Sequence, residues 1–157
     1  MNRFCLLVIS VAGAVTACQA DHTSHSSTST DTLTPSAGMA RASLTNTYWR
    51  PVEIAGKPVS VAAGQREPHI MLVPDSDAMR GFAGCNQMQG RYEVRGKGLR
   101  FLGTATTRMF CQETMEQERA FLHAIEATSQ YKIAGETMEL YDTNGQLLAR
   151  FESRYLK

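Results

Sequence analysis

Residues 84–103 read GCNQMQGRYEVRGKGLRFLG, and this stretch decides the fold class. From Gln87 to Val94 the chain alternates toward Tyr92 and Val94, the period of a strand with one buried face. It turns at Arg95-Gly96, and Leu99 and Phe101 carry the next strand, which is expected to end at Gly103. Gly84 and Gly90 mark positions that tolerate no side chain, through positive φ or close strand approach. Asn86 is placed to bond neighbouring backbone at a strand end.

Working outward, Tyr48, Trp49, Val52 and Ile54 form a first strand rich in β-formers, stopped by Ala55-Gly56. His69 to Val73 is a second apolar run, and Met79 to Ala83 a third that leads into Gly84. Downstream, a helix is expected from Gln112 to Thr128. Met115, Phe121, Leu122 and Ile125 recur near helical spacing, with Glu116, Glu118 and Arg119 on the other side. Glu113 and Glu116 read as solvated carboxylates in its first turns, where the helix dipole favours negative charge. Three short strands close the chain: Gln130 to Ile133, Met138 to Tyr141 and Leu147 to Phe151. Gly135 separates the first two and Asn144-Gly145, a strong hairpin signal, the last two. The expected class is α+β, a strongly bent antiparallel sheet packed on one main helix.

The N-terminus carries a different message. Arg3 precedes an apolar run from Phe4 to Ala14, and Val15-Thr16-Ala17 lead into Cys18, the layout of a bacterial export signal. A cysteine directly after the cut resembles the lipobox of bacterial lipoproteins, which implies an acylated Cys18. Val15 departs from the commonest residue there, leucine. Polar Gln19, Asp21 and His22 end the run too early for a membrane span. Because Gln19 is not Asp, resemblance to lipoprotein sorting implies the outer membrane, with the domain facing the periplasm. Residues 1–17 are thus a signal peptide, 18–43 a Ser/Thr-rich tether and 44–157 the folded domain.

Loss of residues 1–17 removes Arg3 alone among the charged residues, leaving 15 basic and 15 acidic side chains. That balance offers nucleic acid no electrostatic reason to bind. His22 and His25 lack a third ligand nearby, and the eight methionines are scattered, so no metal or other cofactor is expected.

Two segments carry a family likeness: Gly84-Cys85-Asn86 followed by Gly90 and Tyr92, then Thr107-Arg108-Met109-Phe110-Cys111 ahead of an acidic helix. With Trp49 and Ile54-Ala55-Gly56 near the start, they resemble the META domain of the HslJ-like heat-shock protein family, over about Leu44 to Glu152. The resemblance implies a half-open β-barrel with a helix, similar in outline to lipid-binding pilot proteins, no catalytic activity, and an association with stress of the cell envelope.

Cys85 and Cys111 are the cysteines left to the mature domain once Cys18 is acylated. An even pair in an exported domain motivates a disulfide. Two buried thiols, or a nucleophilic Cys85 activated by His123, are the alternatives. Otherwise His123 is a partly exposed helix histidine. Thr107-Arg108 could bind an oxyanion; Arg108 more readily snorkels at a strand end or pairs with a helix glutamate. Met109 and Phe110 are expected to line the core or a groove. The favoured function is a non-enzymatic outer-membrane lipoprotein that binds or supports another envelope component under stress. A carrier of a small apolar ligand and a thiol redox enzyme are the competing readings.

Overall fold

The computed structural model describes residues 41–61 and 63–154. The export segment, Cys18, His22, His25 and the tether up to residue 40 lie outside the described residues. In chain order the elements are β1 (Tyr48–Ile54), β2 (Lys57–Pro58), β3 (His69–Leu72), β4 (Ala78–Phe82), β5 (Gln87–Arg95), β6 (Gly98–Thr106), α1 (Met115–Ala127), β7 (Gln130–Ala134), β8 (Thr137–Tyr141) and β9 (Leu147–Arg154). Only the two-residue β2 has no counterpart in the sequence reading.

The strands form one antiparallel sheet in the order β2-β1-β3-β4-β5-β6-β7-β8-β9, and β1 also pairs with β9. The sheet therefore curls into a ring, as an α+β half-open barrel requires. The ring is uneven. β5 and β6 share a long ladder, whereas β1 meets β3 only at Trp49↔Ile70 and β6 meets β7 only at Gly98↔Gln130.

Alternation along the strands turns Ile70, Leu72, Met79, Met88, Leu99, Phe101, Met138, Leu140 and Phe151 inward. Helix α1 packs on β1, β6 and β9, adding Phe121, Ala124 and Ile125 to the same core. The rings of Phe121 and Phe151 lie 6.0 Å apart at 49°, a tilted arrangement that suits their quadrupoles. Trp49 is fully buried, and its indole N–H donates to Leu44 O at 3.1 Å. Two residues before Leu44 the chain already contributes to the packing. Ala42 is buried, and its N–H donates to Gly135 O at 2.9 Å.

Two local differences from the sequence reading have physical causes. Strand β6 does not end at Gly103 but runs on to Thr106. The register jumps there from Arg91↔Leu102 to Gln89↔Ala105, and Gly103 takes φ +60°, the geometry of a bulge. Gly90 lies opposite, where a Cβ would come within 3.2 Å of Leu102 O and Thr104 Cα. Close approach therefore explains its missing side chain. Second, α1 begins at Met115 rather than Gln112, because the preceding residues form a turn in which Thr114 N–H donates to Cys111 O at 3.0 Å. Glu113 precedes the helix, and Glu116 pairs with Lys57 at 3.0 Å. The turn expected at Asn144-Gly145 joins β8 to β9, and Asp142 organises it: its Oδ1 accepts the N–H groups of Asn144 and Gln146, both at 2.8 Å.

Candidate functional site

Glu118 stands one turn into α1, three and seven residues before Phe121 and Ile125, and so on the buried face of the helix. It is 3% exposed, although the sequence pattern assigns it to the solvent side. Its Oε2 accepts the backbone N–H groups of Cys85 and Asn86, each at 2.8 Å. Its Oε1 accepts from Asn86 Nδ2 at 2.6 Å. Two successive N–H groups converge on one oxygen because Gly84 takes φ +119°, a region that side-chain-bearing residues rarely adopt. Three N–H donors replace the water that burial removes from the carboxylate.

Asn86 passes the connection on. Its Oδ1 accepts from Met109 N–H at 2.7 Å and from Thr107 Oγ1 at 2.8 Å, and its Nδ2 also donates to Met109 O at 3.2 Å. Thr107 Oγ1 in turn accepts Gln87 N–H at 3.1 Å. Cys85 and Cys111 are joined by a disulfide with Cα atoms 5.9 Å apart. The two sequence segments singled out above thus form one clasp, with Glu118 as the member that the sequence pattern hides. Tyr92 stands apart from it, donating its hydroxyl to Val73 O at 3.0 Å. Trp49 belongs to the core.

The clasp determines what residues 107–111 present. Met109 is 61% exposed and Phe110 80% exposed, so neither lines the core or a groove as expected. Asn86 engages both backbone polar groups of Met109 and the disulfide ties Cys111, which leaves these side chains directed outward. Arg108 is exposed and forms no ion pair among the described residues, with a helix glutamate or otherwise. His123 is exposed, and the sulfur of Cys85 is in the disulfide, so the nucleophile reading loses its thiolate. Among the described residues, no group of three His, Cys, Asp or Glu is placed to hold a metal ion.

Beside the clasp, a cleft of about 590 Å³ on the outer face of β3–β6 is lined by Arg66, His69, Arg80, Gln87 and Thr107 among others. His69 is 5% exposed and stacks on Tyr48 with ring centres 4.3 Å apart. Its Nδ1 donates to Glu67 O at 3.3 Å, and its Nε2 accepts from Arg66 Nη2 at 3.3 Å. Burial holds the imidazole below its usual range; the Glu67 carbonyl opposes that shift and the Arg66 charge reinforces it. A histidine whose folded pKa is depressed contributes stability that is present above the unfolded pKa and lost as pH falls through the folded one. Urea unfolding is therefore expected to show stability falling below about pH 6.5, by at most about 1.4 kcal/mol per pH unit for one proton. His69→Gln should flatten that slope; an unchanged slope would assign it to other groups.

The META domain family model matches residues 42–155. An NMR structure of a protein from Burkholderia xenovorans is similar at 23% identity and a TM-score of 0.58, covering 72% of this chain and 85% of that one. A second NMR structure is similar at 19% identity and a TM-score of 0.54, covering 68% of this chain and 87% of that one. Both likenesses concern the fold alone. No curated protein matches the chain. The family match spans the ring of strands, the helix and both clasped segments, and the chain belongs to the META domain family.

Proposed function

We propose that this protein is a non-enzymatic, outer-membrane lipoprotein whose META domain docks another protein of the envelope under stress through Met109 and Phe110. The observation that carries the reading is the pinned loop: two large apolar side chains held out to solvent by a buried carboxylate, an asparagine and a disulfide. Met109 and Phe110 are adjacent, and contiguous exposed apolar surface is the kind that marks interaction sites. Pre-organisation of the backbone also lowers the ordering entropy that docking must overcome. Anchoring through Cys18 supplies the location, and tether residues 18–43 the reach. The carrier reading finds less support, since Leu99, Phe101, Phe121 and Leu140 fill the interior where an apolar ligand would lie.

The test places a photo-crosslinking amino acid at position 110, and for comparison at exposed Glu126, in the acylated protein in cells. One dominant adduct specific to position 110 is expected. Phe110→Ser should weaken the purified pair by about 30-fold or more, the range of a hot-spot residue, yet change folding stability by no more than about 0.5 kcal/mol. Equal crosslinking from both positions would refute docking by this loop.

A further inference from the structure

The cleft beside the clasp holds two guanidinium groups and no counter-charge. Arg66 is positioned entirely by neutral groups. It donates to His69 Nε2, lies 5.2 Å over the Phe82 ring centre, and donates from Nη1 to the Gln87 side-chain oxygen at 3.0 Å when that amide faces it. In the same orientation the Gln87 amide nitrogen donates to Gly81 O at 3.3 Å, so the amide is satisfied at both ends. Arg80 stands on the outward row of β4, between Met71 on β3 and Gln89 on β5. Neither arginine forms an ion pair among the described residues. No Asp or Glu lines the cleft, whereas Thr106 and Thr107 do.

We infer that this cleft is a binding site for a phosphoryl oxyanion, held by Arg66 and Arg80 with the organic part of the ligand against Met71 and Ala105. Two like charges facing one cleft repel until an anion enters, and Arg offers a planar fork suited to phosphate oxygens. Neutral His69 is one of three groups that hold Arg66, because only an unprotonated Nε2 can accept its N–H. Cation–π contact with Phe82 fixes the guanidinium without neutralising it. At about 590 Å³ the cleft exceeds what a bare phosphate ion needs, which leaves room for a carbon skeleton. The site uses neither Met109 nor Phe110, so its failure and that of the docking loop are separable.

The experiment titrates the isotope-labelled full chain, carrying Cys18→Ser so that no acyl group competes and with its disulfide formed. The probes are inorganic phosphate, glycerol 3-phosphate and a short-chain phosphatidate below its micelle concentration, followed by amide chemical shifts. All three are expected to move the amides of Gly81, Gln87, Thr106 and Thr107. Arg66→Gln and Arg80→Gln should each weaken binding at least about tenfold, the loss expected for one charge-assisted contact. Arg95→Gln removes an exposed charge that does not line this cleft and should leave binding unchanged. Tighter binding of phosphatidate than of the other two assigns the source as a lipid headgroup; equal binding assigns it as a soluble phosphate. Absence of shifts at the cleft, or equal weakening by Arg95→Gln, overturns the site.

Discussion

Glu118→Ala should lose about 3–5 kcal/mol of folding stability, among the largest effects expected from one substitution outside the apolar core. Truncation strands the backbone N–H groups of Cys85 and Asn86 and one of the two Nδ2 hydrogens of Asn86, the other still donating to Met109 O. A buried donor left unsatisfied costs about 1–3 kcal/mol, and water entering the vacated space reduces the sum of three. Glu118→Gln should be milder, about 2 kcal/mol, because its oxygen can keep the two backbone bonds while its amide opposes Asn86 Nδ2. Urea unfolding measures both. Exchange of the Met109 amide, which depends on Asn86 Oδ1, should accelerate in parallel. A loss below about 1 kcal/mol for the Ala variant would show that solvent satisfies these donors as well as the carboxylate does.

Much of the architecture was legible because strands announce themselves locally. β1, β3, β4, β5, β7, β8 and β9 each carry an apolar alternation or run bounded by Gly, Pro or Asn, and their ends fall within a few residues of expectation. Closure of the ring was less visible, since pairing of β1 with β9 joins Tyr48 to Arg154 and Ile54 to Ala149 without a local signature. Gly103 misled because a glycine that ends a strand and one that forms a bulge look alike in sequence. Glu118 misled for a deeper reason. Its carboxylate reads as solvent-facing, yet its spacing to Phe121 and Ile125 places it on the buried stripe. The spacing was the truer signal, and the partners that make burial tolerable are backbone N–H groups, which no side-chain pattern records. Met109 and Phe110 show the converse. Apolar character places a residue inside only when the backbone leaves it free to turn inward, and here Asn86 and Cys111 do not.

Removing the disulfide by Cys85→Ala with Cys111→Ala should lower stability by about 3.5 kcal/mol on the chain-entropy estimate for a separation of 26 residues. Alanine suits the test because Cys85 is 5% exposed, and a serine there would add an unsatisfied hydroxyl. The expected effect resembles that of Glu118→Ala in size but differs in origin. The covalent link acts chiefly by restricting the unfolded chain, whereas the carboxylate acts within the folded state. In the disulfide-free protein the bonds from Asn86 to Met109 survive, so the Met109 amide should keep most of its local protection under native conditions. In Glu118→Ala the disulfide survives, yet that protection should fall by more than global stability accounts for. Native-state hydrogen exchange at Met109, compared with urea unfolding of the same two proteins, distinguishes the roles. The reverse pattern, with protection lost on removing the disulfide and retained without the carboxylate, would make Cys111 rather than Asn86 the holder of the loop. Under the proposed docking role, binding through Phe110 would then be redox-dependent, because reduction alone would release the loop.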